Sequence, residues 1–158
     1  MTVDGKDLRR VMGMFATGVT VVTTHDGAGK DYGLTANAVA SVSLVPPLLL
    51  VCVDKSAESH DAFGRSGVFA VSVLSAEQEA LSQRFARSGD EKFAGLSVER
   101  AATGAVLFPG ALAYLDCRVT AAHDAGDHTI YVGEVGTAEA GGGDPLLFFG
   151  GRYARIRA

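Results

Sequence analysis

The stretch Gly33-Leu34-Thr35-Ala36-Asn37-Ala38-Val39-Ala40-Ser41-Val42-Ser43 combines small side chains with hydroxyls and one amide. Small side chains leave backbone N–H and C=O groups accessible, and these can hydrogen-bond the polar edge of a flat heterocycle. Asn37 adds donors and acceptors suited to a pyrimidine-like ring edge. A strand end crowded by a neighbouring element would have the same composition, so both readings stand. Further on, Cys52-Val53-Asp54-Lys55-Ser56 runs from an apolar segment into a helix start. A helix N-terminus presents unpaired N–H groups and partial positive charge, which favours phosphate, with Ser56 as N-cap and Lys55 as a point charge. A plain cap beside a solvated lysine is the simpler account of these residues taken alone. Arg84 and Arg87, with Phe85 between them, pose the same choice between a phosphate contact and an ordinary helix surface.

The chain has 4 histidines, and none has partners at metal-ligand spacing. His128 follows Gly126-Asp127 and opens a strand-like segment, which puts its ring at the rim of a sheet or barrel. Read alone, it fits a structural histidine better than a catalytic one. No GxSxG elbow occurs. Cys52 and Cys117 lie in apolar segments without CxxC spacing, so they read as buried free thiols of a reducing compartment, the cytoplasm.

These residues need elements to hold them. With 158 residues, 47% hydrophobic and 20% charged, the chain reads as a single domain over 1–158 with one core. Its net charge of -4 argues against a nucleic-acid binder. No secretory signal opens it, and the apolar run Leu44–Val53 is too short to cross a membrane. The 20 glycines and 4 prolines suit a β protein with many tight turns.

Apolar residues at Leu8, Val11, Met12 and Phe15 predict a short helix over Lys6–Phe15. The β-branched run Thr17–Thr24 predicts a strand, and Asp26-Gly27-Ala28-Gly29 a turn into a partner strand over Tyr32–Ala38. Leu48–Val53 reads as a strand buried on both faces. Helices are expected over Ser56–Arg65 and Ser75–Arg87, the second with a Ser75/Gln78 capping box and a Leu81/Phe85 pair. Val68–Leu74, Leu112–Ala122, His128–Ala138 and Phe148–Ile156 complete a set of six or seven strands. Hairpins with two or three short helices favour a mainly β protein, an antiparallel barrel, over a parallel α/β sheet. The cluster Gly27–Gly33 has one residue too many for GxGxxG and joins two strands, so a Rossmann domain is not expected.

Taken in order, eight blocks resemble the short-chain flavin reductase family, the reductase components of two-component flavin-dependent monooxygenases. They are Phe15–Thr24, Gly33–Asn37, Ser41–Leu44, Pro47–Val51, Phe69–Leu74, Arg84–Ala86, Ala125–Val135 and Pro145–Tyr153, which together span almost the whole chain. The resemblance implies a Greek-key, antiparallel split β-barrel, a homodimer, and transfer of hydride from NADH to FMN or FAD for a separate monooxygenase. It implies that the flavin ring lies along Gly33, Leu34, Thr35, Ala36 and Asn37, near Ser41, and along Cys52, Val53, Asp54, Lys55 and Ser56. It puts the flavin phosphate near Lys55, Ser56, Arg84 and Phe85. His128 is the implied catalytic position beside the nicotinamide, with Tyr153 nearby. NADPH stays open through Arg152 and Arg155. Two alternatives also stay open: a tightly held FMN serving another acceptor, and a flavin-binding protein without activity.

Overall fold

The computed structural model describes residues 2–157. Helix α1 (Gly5–Met12) precedes β1 (Thr17–Gly18), β2 (Thr20–His25), β3 (Asp31–Ala36), β4 (Val39–Leu44) and β5 (Pro47–Asp54). Next come α2 (His60–Ser66), β6 (Val68–Val73), a 3-10 turn over Ala76–Gln78 and α3 (Glu79–Phe85). The chain ends with β7 (Glu99–Arg100), β8 (Val106–Leu107), β9 (Ala113–Ala125), β10 (His128–Ala140), β11 (Leu147–Phe149) and β12 (Arg152–Ala154). Among the described residues no helix is long and apolar enough to cross a membrane.

Seven strands form one antiparallel sheet in the order β3-β2-β6-β9-β10-β5-β4. At a strand spacing of about 4.8 Å its two edges would lie roughly 29 Å apart if it were flat. Yet β3 and β4 are those edges, and only Asn37 and Ala38 join them, a reach of roughly 11 Å. The sheet must therefore curl on itself. The backbone N–H of Cys52 in β5 donates to the carbonyl of Ala38 at 3.0 Å, which fastens the closing edge. Strand β5 followed by the run β6, β9 and β10, with β10 returning beside β5, is a Greek key. This is the expected split barrel.

Two apolar clusters fill the fold. Val22, Val51, Val53, Phe63, Phe69, Val71, Cys117 and Tyr131 form one of them, with Phe63 of α2 stacked on Tyr131 at a centroid distance of 5.6 Å. Val19, Val21, Leu74, Phe85, Val106, Phe108 and Leu146 form the second, lying beneath α3 and the connection to β8. Strand β2 supplies both, Val22 to the first and Val19 with Val21 to the second. The strands buried on both faces are thus β2 and β6. Strand β5, expected to be buried on both sides, alternates instead: Leu49, Val51 and Val53 point inward and Leu50, Cys52 and Asp54 lie half-buried. The threonines of β2 meet their bonding needs inside, since Thr20, Thr23 and Thr24 donate to the carbonyls of Ala36, Val106 and Val68 at 2.6–2.8 Å.

Several local expectations are corrected. The helix expected from Ser56 begins at His60 with Ser59 at its N-cap, because Ser56 is held in a turn by Asp54. The helix expected over Ser75–Arg87 opens as a 3-10 turn, although Gln78 does accept from the Ser75 N–H at 3.1 Å. The last expected strand is a hairpin, β11 and β12, turning at Gly150-Gly151. The second half of the Gly33–Ser43 segment is a full strand, β4, and β7 with β8 form a small hairpin with no clear sequence signal.

Gly133 in β10 faces the core so closely that an added Cβ would lie 2.6 Å from Phe69 Cε1 and 2.9 Å from Cys117 Cβ. Replacing it, Gly133→Ala, is expected to lower the unfolding free energy by about 1–3 kcal/mol through overpacking. Gly136→Ala, whose Cβ would meet only a carbonyl oxygen at 3.8 Å, serves as the near-neutral control. Urea denaturation of the two variants measures the difference; equal midpoints would refute the close-packing account.

Candidate functional site

Strand β3 alternates, and its two faces do different work. Leu34 and Ala36 turn toward the barrel core. Gly33, Thr35 and Asn37 turn toward α3 and its surroundings. Gly33 is small for a steric reason, since a Cβ there would lie 2.8 Å from Phe85 Cε1 and 3.2 Å from Phe93 Cζ. At this position the crowded-strand account holds. Thr35 donates to the carbonyl of Ser82 at 2.5 Å, and the Ser82 hydroxyl bonds the Tyr153 hydroxyl at 2.7 Å. Together with Asn37, Val19 and Phe148, these residues line a cavity of about 240 Å³. Hydroxyls, one free amide and two apolar walls suit a flat ring with a polar edge.

The Ala38–Cys52 hydrogen bond joins this wall to β5. Asp54 stands directly opposite His128 across the β5–β10 ladder, and Cys52 opposite Ile130. Val53, on the alternate face, buries its side chain in the core and can offer a ligand only backbone. The Asp54 carboxylate accepts from the Ser56 N–H and hydroxyl, both at 2.7 Å, and these bonds hold its pKa below the ordinary carboxylate value. That turn removes Ser56 from the helix-cap role and satisfies its N–H internally. Burial raises the Cys52 thiol and pushes Cys117 up to about 12, which disfavours the thiolate at both.

The phosphate candidates fare differently. Phe85 is buried in the second core cluster, its ring 5.0 Å from those of both Phe93 and Phe108, and is out of reach of a ligand. Its spacing from Leu81 marked a packing face. Arg84 donates to the carbonyls of Glu91 and Ala94, tying down the connection after α3. Lys55 turns away toward the β9–β10 turn, bonding Asp124 and the Gly126 carbonyl. Ser41 lies exposed on β4, beside a register shift in its pairing with β5.

The cations that border Gly33 are ones the sequence reading passed over. Lys92 donates to the Gly33 carbonyl at 3.3 Å, and burial lowers its ammonium pKa. With Lys30, Glu58 and Ser59 it lines a cavity of about 260 Å³, and an adjoining one holds Arg87 and Ser88. Lysines on an irregular connection carry no periodicity that would have singled them out. Ser82 was legible in principle, as a small hydroxyl residue on the buried face of α3.

His128 projects half-exposed from the first residue of β10, its Nδ1 2.7 Å from the Asp127 carboxylate. Tyr153 lies with Thr35 and Asn37 in the cavity beside α3, its hydroxyl bonded to that of Ser82, and His128 does not line that cavity.

Comparison with known proteins agrees with this architecture. The model of the "Flavin reductase like domain" family matches residues 12–157. The chain is 49% identical over 153 residues to an FMN reductase (NADH) of Agrobacterium fabrum, covering 97% of this chain and 87% of that protein. It is 39% identical to the reductase subunit of a flavin-dependent monooxygenase of Rhodococcus jostii, over 98% of this chain and 79% of that one. Among solved structures it superposes on an NADH:FAD oxidoreductase of Streptomyces globisporus in complex with NAD and FAD fragments. The TM-score is 0.91 at 43% identity, with 99% and 97% of the two chains covered. The curled sheet and the full-length match lead to one conclusion: this chain belongs to the flavin reductase-like family.

Proposed function

We propose that the protein is an NADH:flavin oxidoreductase that transfers hydride from NADH to FMN or FAD and passes the reduced flavin to a separate monooxygenase. The observation that carries the reading is the fastening of the β3–β4 link to β5 through Ala38 and Cys52, beside the cavity lined by Thr35 and Asn37, with Asp54 and His128 facing each other two residues farther along β5. The donor set fits a flavin. Asn37, the Thr35–Ser82–Tyr153 hydroxyls and backbone groups match the polar edge of its ring. Arg87, Ser88 and Lys92, with Arg84 bordering the same cavity, match its phosphate better than Lys55, which is turned to Asp124 and the Gly126 carbonyl.

When bound, the flavin and the nicotinamide supply the reactive atoms, and the protein supplies position. The residues that line the groove bind and orient; none forms a nucleophile–base pair. His128 stands at the rim, where its ring can hold the carboxamide of the second reactant. Aligning two reactants in this way can contribute roughly 7–11 kcal/mol. The names of the similar proteins favour NADH over NADPH. So does Arg155, a candidate 2′-phosphate reader whose guanidinium bonds the Ala76 carbonyl and pairs with Glu77. Two unpaired cysteines fit the cytoplasm.

A homodimer is part of this reading. Leu8, Val11, Met12 and Phe15 are 57%, 56%, 54% and 69% exposed, and α1 has no buried residue. Leu44, the last residue of β4, and Val45, which follows it, are also open. An apolar stripe of this size calls for a cover, and a second copy provides one. Replacing Leu8 and Val11 with glutamate is expected to convert a dimer to a monomer in sedimentation velocity; a monomeric unsubstituted protein would refute the dimer.

The activity is tested with purified protein, NADH and added FMN or FAD. The expected result is NADH oxidation that depends on added flavin and saturates with it; no oxidation with either flavin would overturn the function. His128→Ala is expected to raise KM for NADH about tenfold, the effect of losing one hydrogen bond of ordinary strength, without weakening flavin binding. An unchanged KM and rate would remove His128 from the nicotinamide site.

A further inference from the structure

Lys55 directs three donors at one turn. Its backbone N–H donates to the Asp127 carbonyl at 2.9 Å, and its ammonium donates to the Gly126 carbonyl at 2.6 Å and to the Asp124 carboxylate. Asp124 is 82% exposed, so the ion pair by itself contributes little in water. The two bonds to main-chain carbonyls are of another kind, because they fix the path of the β9–β10 turn itself. Asp127 and His128 stand at the end of that turn, with Asp127 Oδ1 2.7 Å from His128 Nδ1. A carboxylate at this distance matches a ring protonated at Nδ1, the tautomer that leaves Nε2 of a neutral imidazole as an acceptor.

We propose that Lys55 is a positioning residue that clamps the β9–β10 turn, so that Asp127 fixes the ring orientation and tautomer of His128. Nε2 is thereby presented to a hydrogen-bond donor, such as the amide N–H of a nicotinamide carboxamide. This rests on the reading of His128 as the residue that meets the nicotinamide. It departs from what the sequence suggested for Lys55, a charge for the flavin phosphate. It also accounts for the different paths of two neighbours: Asp54 ends β5 opposite His128, while Lys55 turns outward and holds the opposite hairpin in register. The same clamp explains why an exposed two-residue turn can carry a side chain with a defined orientation. Gly126 and Asp127 are anchored from across the sheet, not only by the hairpin's own ladder.

The test compares Lys55→Met, which keeps the length and removes the charge, with Lys55→Arg and Asp127→Asn, all in the full chain. Steady-state kinetics give KM for NADH and kcat, fluorescence titration gives Kd for FMN, and nitrogen NMR of the neutral His128 ring gives its tautomer. Lys55→Met is expected to raise KM for NADH about tenfold, leave Kd for FMN unchanged, and replace a single Nδ1–H tautomer by a mixture. Asp127→Asn should produce the same mixture, and Lys55→Arg should retain the single form. A loss of FMN affinity with unchanged KM for NADH would make Lys55 a flavin ligand and overturn the clamp. An unchanged tautomer in Lys55→Met, or in Asp127→Asn should the lysine variant not fold, would overturn it equally. If His128→Ala leaves KM for NADH unaltered, the nicotinamide reading fails, and the tautomer measurement still decides the clamp.

Discussion

The structure depends on the shortness of one connection. Asn37 and Ala38 must bridge the two edges of a seven-stranded sheet, and a flat sheet would keep those edges more than twice as far apart as two residues reach. Closure follows from chain length alone, before any ligand is considered. Once the sheet curls, the inner faces of β2, β5, β6 and β10 have only each other to pack against, and Phe63 and Tyr131 join them there. The right-handed twist of antiparallel strands makes such curling accessible, and full apolar burial makes it stable. A longer loop at this point would relieve the constraint and separate the two walls of the groove.

The same closure brings the parts of the proposed site onto one sheet. Three segments far apart in the chain meet because the β3–β4 link is pinned to β5 and β5 pairs with β10. None of them is a catalytic centre by itself. The cavity beside α3 collects hydroxyls and an amide, with Ser82 connecting Thr35 to Tyr153, and His128 opens β10 on the same sheet. Binding groups held on strands keep their geometry better than groups on loops. That is appropriate for a reaction in which alignment matters more than acid–base chemistry.

Much of the fold was legible, and the failures have physical causes. The strands Thr20–His25 and Val68–Val73 announce themselves through β-branched runs, and the β9–β10 hairpin through alternation around Gly126. The burial of β5 was misread because a continuous apolar run looks the same whether its second face meets core or remains half-covered. The helix start at Ser56 was misread because aspartate two residues earlier offers the same backbone a competing turn. Among the site residues, those on the alternating strand β3 were found but not sorted. Period-two geometry sends Leu34 and Ala36 inward while Thr35 and Asn37 face the cavity, and Gly33 serves Phe85. Arg84 and Phe85 followed a pattern that marks packing and capping as readily as ligand contact. Arg87, singled out with Arg84, stands just past the end of α3, and Lys92 lies where no periodicity operates.

Helix α1 shows the limit from the other side. Its spacing of Leu8, Val11, Met12 and Phe15 predicts an amphipathic helix, and a helix forms there with Asp4 capping it through the Asp7 N–H at 2.8 Å. Ordinarily the apolar face of such a helix turns to the core of its own domain. Here Leu8, Val11 and Met12 stay more than half exposed, and the helix buries no residue. Period sets which residues share a face, but it does not encode which molecule that face will meet. The barrel needs no help from α1, because both clusters close without it. A stripe that the fold does not use, apolar beside a hydrophilic face with Lys6, Asp7 and Arg10, is the surface on which the proposed homodimer rests.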